Sequence, residues 1–342
     1  MMIDGSSDVL GAYIEYEKAR RQADCERLRN EVANVPVPAA VLEELCQLNP
    51  KDFSSVMRFH PGHDTEEKLK SLWAVLETFR TSCADLNAAI ERFASHEPTR
   101  AAGGDREHAR LVAVLRKEVF AASAGAAALV DHARGVREHI PIPNFELKRR
   151  TVFDAGQHEF IIGIRNSLAH SCLVSPEYRI SWGADRKKKT SFHFRRSELI
   201  NNGRFTARAR AHIEAGRDDI DVGKLFAEYA SRVEAFYGWF GQTIEEHLLA
   251  EVADYRRCLQ YQHRVVSRMF YRVALNTWIS WRVDPYPHLP EYLEPDQLQE
   301  VNRLQFRSAE QVHRIIQLAD KDEICDEELR SLVFRLFRVA GY

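Results

Sequence analysis

Ile161-Ile162-Gly163-Ile164-Arg165-Asn166-Ser167-Leu168-Ala169-His170 is the stretch around which the chain is organised. A strongly basic side chain, an amide and a histidine fall within six residues of an otherwise apolar helical pattern, which core packing alone does not ask for. The spacing predicts one long helix from about Leu147 to Leu173, ended by Ser175-Pro176. At about 100° per residue, Phe153, Phe160, Ile161, Ile164 and Leu168 form its core face. Gly156, Glu159, Gly163, Asn166, Ser167 and His170 share the opposite side. Glycine costs a helix about 1 kcal/mol relative to alanine, so two glycines on one stripe point to something packed closely against it. A second copy of the same helix is the simplest occupant. Arg165 stands about 140° round from His170, beside the stripe; its long side chain, a loosened helix end before Ser175-Pro176, or pairing across a two-fold axis would each bring the two together, and the last agrees best with the glycines.

Upstream, Glu66 to about Phe93 keeps a helical period through Leu69, Leu72, Leu76, Phe79, Leu86 and Ile90. Arg106 to Arg137 forms the antiparallel return, where the Ala, Ser and Gly run Ala121–Ala128 permits close helix approach. Downstream the period changes to two. Tyr178–Trp182 and Ser191–Arg195 flank the basic tip Ala184–Thr190 as a β-hairpin. Asp221–Leu249 is a helix with a broad aromatic face, the natural partner of the motif helix, and Ala250–Trp281 continues in helix. The proline-rich corner Asp284–Pro290 precedes further helices over Pro295–Leu318 and Cys325–Val339. At the other end, Asp8–Val32 and Ala39–Leu48 are helical, and His60-Pro61-Gly62-His63 reads as a turn rather than a ligand pair. The fold class is therefore all-α, an antiparallel helical bundle with a small β-hairpin insertion and additional N- and C-terminal helices. Its parts are an N-terminal extension over 1–63, the bundle over 64–249 with the insertion at about 178–196, and a C-terminal helical region over 250–342.

Composition supports this class: 45% of residues are hydrophobic and 29% charged, with only 16 Gly and 12 Pro. Six cysteines scattered without a CxxC pair argue against a zinc knuckle or a disulfide scaffold and fit a reducing cytoplasm. Neither a signal peptide nor an uncharged run of membrane-spanning length is evident, so a cytoplasmic protein that does not enter a membrane is expected. No phosphate-binding glycine loop or ligand cluster appears, so no cofactor and no metal are expected.

The run Arg165-Asn166-Ser167-Leu168-Ala169-His170 resembles the RxxxxH signature of HEPN domains, with the asparagine that often follows the arginine. The resemblance covers about Thr65–Leu249 and implies a four- to five-helix bundle that dimerises through the motif helix, here the one carrying Gly163 and His170. It further implies a metal-independent endoribonuclease, of the kind found among toxins and antiviral defence effectors, with an antitoxin or regulatory protein as a further partner. Other members are non-catalytic scaffolds that bind RNA or proteins. The implied chemistry is attack of a ribose 2′-hydroxyl on the adjacent phosphate. His170 would handle protons near neutral pH, and Arg165 would steady the phosphorane charge through its fork of donors. Asn166 would orient the phosphate or His170, and Glu159 would hold Arg165 or His170 in place. The bland alternative has Arg165 paired with an acid, Asn166 in solvent and His170 closing the helix C-terminus.

Charge is segregated next to this motif. Between Tyr178 and Arg217, eleven Lys and Arg stand against three acids, a net of +8, which leaves −10 for the rest of a chain of net −2. Arg179, Arg186, Lys187, Lys188, Lys189, Arg195 and Arg196 would attract an RNA backbone without regard to sequence. A protein partner or a solvated loop are the other readings of the same charge. Trp182, Phe192 and Phe194 would either stack bases or, as is commoner for alternating aromatics in a hairpin, cover the core beneath.

Overall fold

A computed structural model describes residues 6–95, 104–169, 177–182, 188–201, 205–216 and 219–342. The N-terminal segment forms helices α1 (Ser6–Val32), α2 (Ala39–Leu45) and α3 (Pro50–Met57). Asn49 caps α3, its Oδ1 accepting the N–H groups of Lys51 and Asp52 at 3.0 Å, with Pro50 at the first helical position where no donor is missed.

Helices α4 (His63–Ser95) and α5 (Gly104–Arg137) follow. On α4, Leu69, Leu72, Leu76, Phe79 and Leu86 recur at helical spacing and are buried; on α5, Leu111, Leu115, Val119, Ala122, Ala126 and Leu129 do the same. The small-residue run on α5 does what its composition predicts: a Cβ on Gly125 would stand 3.3 Å from the Cα of Phe79.

The predicted motif helix is two helices, α6 (Phe145–Val152) and α7 (Ala155–Ala169), separated by an extended Phe153. The cause is local. Asp154 Oδ1 accepts the Gln157 N–H at 2.8 Å, so the acid starts a new helix where a continuous one would have to forgo that bond. A small antiparallel sheet comes next, of order β1-β2-β3, from β1 (Glu177–Trp182), β2 (Lys188–Phe194) and β3 (Ile220–Asp221). Tyr178 pairs with Phe192, and Phe194 with Ile220. Between β2 and β3 lie α8 (Arg196–Asn201) and α9 (Ala207–Ala215), for which the hydrophobic period gave no signal.

Helix α10 (Val222–Glu246) starts at Asp221, whose Oδ1 accepts the Lys224 N–H at 2.9 Å. Its aromatic face is buried as expected, with Phe236 stacked edge-on against Phe145 of α6 and His158 of α7 bonded to the Tyr229 hydroxyl at 2.7 Å. The aromatic helix thus meets α6 and the start of α7, and also α4 and α5, with Tyr229 edge-on against Phe79 and the Tyr237 hydroxyl donating to the Leu129 carbonyl at 2.8 Å.

The last segment comprises α11 (Ala250–Ser280), a 3₁₀ turn (Tyr286–Glu291), α12 (Pro295–Asn302), α13 (Ala309–Ala319) and α14 (Glu327–Leu336). The chain divides into two compact units. One is Asp64–Leu249; the other joins Met1–His63 to Ala250–Tyr342. The two terminal segments, separate in the sequence analysis, share a core because Tyr255 and Cys258 of α11 pack among Cys25, Leu28, Val32, Leu45 and Phe53. A further cluster holds Leu275, Leu289, Val301, Val312, Leu332 and Phe334. Among the described residues no helix is long and apolar enough to cross a membrane.

Two exposed or buried helical glycines separate packing from propensity. Gly125→Val should lower stability by about 1–3 kcal/mol because the added methyls meet the α4 backbone. Gly238→Ala, with nothing within 4 Å of the new Cβ, should raise it by about 0.5–1 kcal/mol. Chemical denaturation of both variants checks the opposite signs.

Candidate functional site

Helix α7 buries a wider arc than its apolar residues alone define. Phe160, Ile161 and Ile164 are fully buried, and so are Gly163 and Ser167 on the side assigned to solvent or a second copy. The buried arc then spans about 160° of the wheel. The occupant of the glycine face is the chain's own α9. A methyl group on Gly163 would overlap the ring of Phe205, and one on Gly156 would lie 2.8 Å from His212 Cβ and 3.2 Å from the Arg208 carbonyl oxygen. The close neighbour inferred from the two glycines is real, but it is not a symmetry-related helix. The glycine stripe thus gives no reason for a homodimer through α7.

Glu159 belongs to the same contact. It accepts a hydrogen bond from the Thr206 hydroxyl, which also caps α9 by accepting the Ala209 N–H at 3.2 Å, and it lies 3.4 Å from Arg208 Nη1. Its described partners are on α9 and do not include Arg165, since residues six apart on a helix point about 120° away from one another; the alternative, that it holds His170, falls on a residue outside those described. Thr206, Arg208 and Phe205 are the residues that periodicity missed. The available signal was a capping threonine followed by an alanine-rich turn, Thr206-Ala207-Arg208-Ala209.

Arg165 is exposed on the one face of α7 left open. Its Nη1 lies 3.3 Å from Asn166 Oδ1, and no carboxylate pairs with it among the described residues. Asn166 is half-buried beside it. His170 lies outside the described residues, so its separation from Arg165 is not part of the geometry.

The basic segment divides. Arg186 and Lys187 lie outside the described residues; Arg179, Lys188 and Lys189 are on paired strands, without described side chains. Arg195 is ion-paired to Glu177, with Glu198 at 3.8 Å. The Arg196 guanidinium is tucked where Gly216 lacks a side chain, and its backbone N–H donates to Asp219 at 3.1 Å. These two arginines are engaged by their own chain. Phe192 and Phe194 are buried, Phe192 edge-on against Phe93 at 4.5 Å, so they cover the core and do not stack bases. Compared with protein-family models, with curated proteins and with solved structures, the chain matches none.

A second polar cluster lies in the unit of the two chain ends. His60, Asp254 and Cys258 each offer a ligand atom, all within 4.8 Å of one another and all buried. Their hydrogen bonds make them a structural tie instead. A metal-bound histidine donates its second ring N–H, whereas His60 Nδ1 accepts the Gly62 N–H at 3.1 Å. Both Asp254 oxygens are taken: Oδ2 by the Val37 N–H at 2.8 Å and His60 Nε2 at 3.3 Å, Oδ1 by Arg257 Nε at 2.8 Å and Nη2 at 2.6 Å. Burial pushes the Cys258 thiol up to about 12, away from the thiolate a metal requires. The His60-to-His63 stretch is the turn its Pro-Gly implied, closed by the His63 N–H on the His60 carbonyl at 3.0 Å.

Burial lowers the pKa of His60, an effect that the bond to Asp254 partly opposes, and burial followed by the charge of Arg149 lowers that of His158. Burial would raise Asp254, but the Val37 N–H, Arg257 and His60 hold its carboxyl below the ordinary range. All three shifts are depressions, so each contributes stability above the unfolded-state value that is lost as pH falls toward the folded one. Unfolding midpoints in denaturant should therefore drop as pH falls below about 6.5, the unperturbed histidine value. The paired replacements His60→Gln and His158→Gln should flatten that fall. Asp254→Ala, which removes the acceptor of four N–H groups and leaves the buried Val37 N–H and His60 Nε2 without it, should cost roughly 3–5 kcal/mol at neutral pH.

Proposed function

We propose that the chain is a metal-independent endoribonuclease of the HEPN kind, acting through Arg165 and His170. The observation that supports this most is the state of Arg165. It projects from the open face of a helix whose Phe160, Ile161, Gly163, Ile164 and Ser167 are buried, and Asn166 is its one polar contact among the described residues. A guanidinium without a carboxylate keeps its donors for an anion, and its fork matches a phosphate as well as it matches a carboxylate.

The chemistry follows from the residue types. The ribose 2′-oxygen attacks the adjacent phosphorus, the bond to the 5′-oxygen of the next nucleotide breaks, and a 2′,3′-cyclic phosphate and a free 5′-hydroxyl result. His170, five residues after Arg165 in the motif, exchanges the protons; Arg165, about 140° round the helix from it, reaches the same phosphate by the length of its side chain and by loosening of the helix end before Ser175-Pro176, and stabilises the charge that builds on the non-bridging oxygens; Asn166 steadies the guanidinium or the phosphate. Arg179 and the run Arg186 to Lys189 supply the sequence-independent attraction for RNA. Arg195 and Arg196 contribute less, being engaged within the fold. That engagement, with the commitment of Glu159 to α9, favours a second reading in which the same surface binds RNA or a regulatory protein without cleaving it.

Purified wild type, Arg165→Ala and His170→Ala, incubated with mixed RNAs in EDTA, separate the two. The expected result is cleavage to cyclic-phosphate ends by wild type, reduced about a hundredfold or more in each variant. Equal cleavage by all three, or cleavage only with added metal, overturns the proposal. Retained RNA binding without cleavage by wild type selects the second reading.

A further inference from the structure

Helix α11 is buried at both ends and bare in between. Tyr255 and Cys258 enter the core shared with the N-terminal helices, and Leu275 enters the following cluster; from 259 to 274 no residue is buried. One side of this span is occupied. Arg264 Nε donates to the Asp322 carbonyl at 3.0 Å, Arg268 Nε to the Ile324 carbonyl at 2.8 Å, and Arg272 pairs with Asp326 at 3.1 Å and Glu328 at 2.8 Å.

The opposite side is apolar and open. Val266 is 47% exposed, Met269 60%, Phe270 66%, Val273 69%, and Trp281, just past the helix end, 74%. On the helical wheel these five lie within about 120°, centred roughly opposite the three arginines. Residues that share the arc, Leu259, Gln262, His263, Thr277 and Ser280, include no Asp, Glu, Lys or Arg, and His263 at its edge lies 3.6 Å from Asp322. A surface patch is left on the order of 600 Å², at the upper end of what single soluble chains present and close to the roughly 800 Å² that each side of a stable interface buries.

We propose that this face is the seam of a homodimer in which α11 packs antiparallel on α11 of a second copy. Two features select a second copy. The area is nearly that of a standard interface, and the stripe carries no Asp, Glu, Lys or Arg, so it sets no like charges of these residues against each other in its own copy and offers no electrostatic match to a strongly acidic or basic partner. The midpoint between Val266 and Trp281 falls between Val273 and Ala274, which places the two-fold axis there. Phe270 of one chain then meets Thr277 of the other, and Val266 meets Trp281. The seam lies on a different helix from Arg165 and requires nothing of RNA cleavage.

Sedimentation equilibrium of the full chain tests this directly. Wild type at tens of micromolar should have twice the 39.4 kDa chain mass. Phe270→Glu should weaken association by about a hundredfold, the effect of losing a central interface side chain, while circular dichroism stays unchanged because the position is exposed within one chain, and the melting midpoint, which in wild type rises with protein concentration, should become independent of it. Adding Thr277→Lys to Phe270→Glu should restore the dimer, since the new charges lie two turns apart within one chain and meet only across the antiparallel seam. A wild-type monomer overturns the proposal and leaves the stripe to another unit or another protein. A dimer indifferent to Phe270→Glu places association elsewhere, and failure of the double variant to recover rejects the antiparallel register.

Discussion

Where the Phe205 ring lies on the bare backbone of Gly163, helix α9 comes close enough for Thr206 and Arg208 to reach Glu159. The form of the motif helix depends on that approach. With α9 on one side and the bundle on another, α7 is enclosed through Gly163, Ile164, Ser167 and Ile161, and only the strip carrying Arg165 remains open. A larger residue at 163 would push α9 away, uncover Ser167 and release Glu159 from its partner. The energetic weakness of glycine in a helix is offset by burial of an aromatic ring, and the same contact leaves the arginine as the accessible charge on the helix.

The two units rely on different devices. Asp64–Leu249 is held by aromatic interlock: Phe145 meets Phe236 and Phe240 edge-on, Phe153 lies tilted against Tyr229 and Phe236, and Phe236 stacks on Phe240, with the His158–Tyr229 bond satisfying the polar atoms that this packing would otherwise strand. The unit formed by the two chain ends is tied instead at Asp254, one carboxylate that receives Val37 and His60 from the distant N-terminal segment and Arg257 from its own helix. An acid so fully bonded is a poor ligand and a good fastener. That difference decides how the His60, Asp254 and Cys258 cluster is understood, since the spacing of potential ligands is the same in either case.

Helix α11 extends the contrast. Its arginines make a charged side that the α13–α14 connection neutralises, yet its apolar side faces solvent across more than four turns. In sequence these two faces look like any amphipathic helix with its apolar stripe turned to a core. Here the stripe is turned outward, and the core contacts sit at the two ends.

The amino-acid sequence by itself determined the all-α class, the extents of α4, α5, α10 and α11 to within a few residues, the hairpin, and the turn at His60, because long helical periods and Pro-Gly breaks are local properties. It also marked Gly163 as a place of close approach. Only the tertiary structure decided what approaches. Short α8 and α9 carry too few turns for a period to register, so the helix that fills the glycine face was invisible and a second chain took its place. The break at Phe153 was lost likewise, because it turns on one side-chain oxygen of Asp154 choosing a backbone donor. Charge was legible as a total but not as a surface: the pairing of Arg195 with Glu177 and the tucking of Arg196 against Gly216 depend on strand register and chain crossing, which composition does not encode.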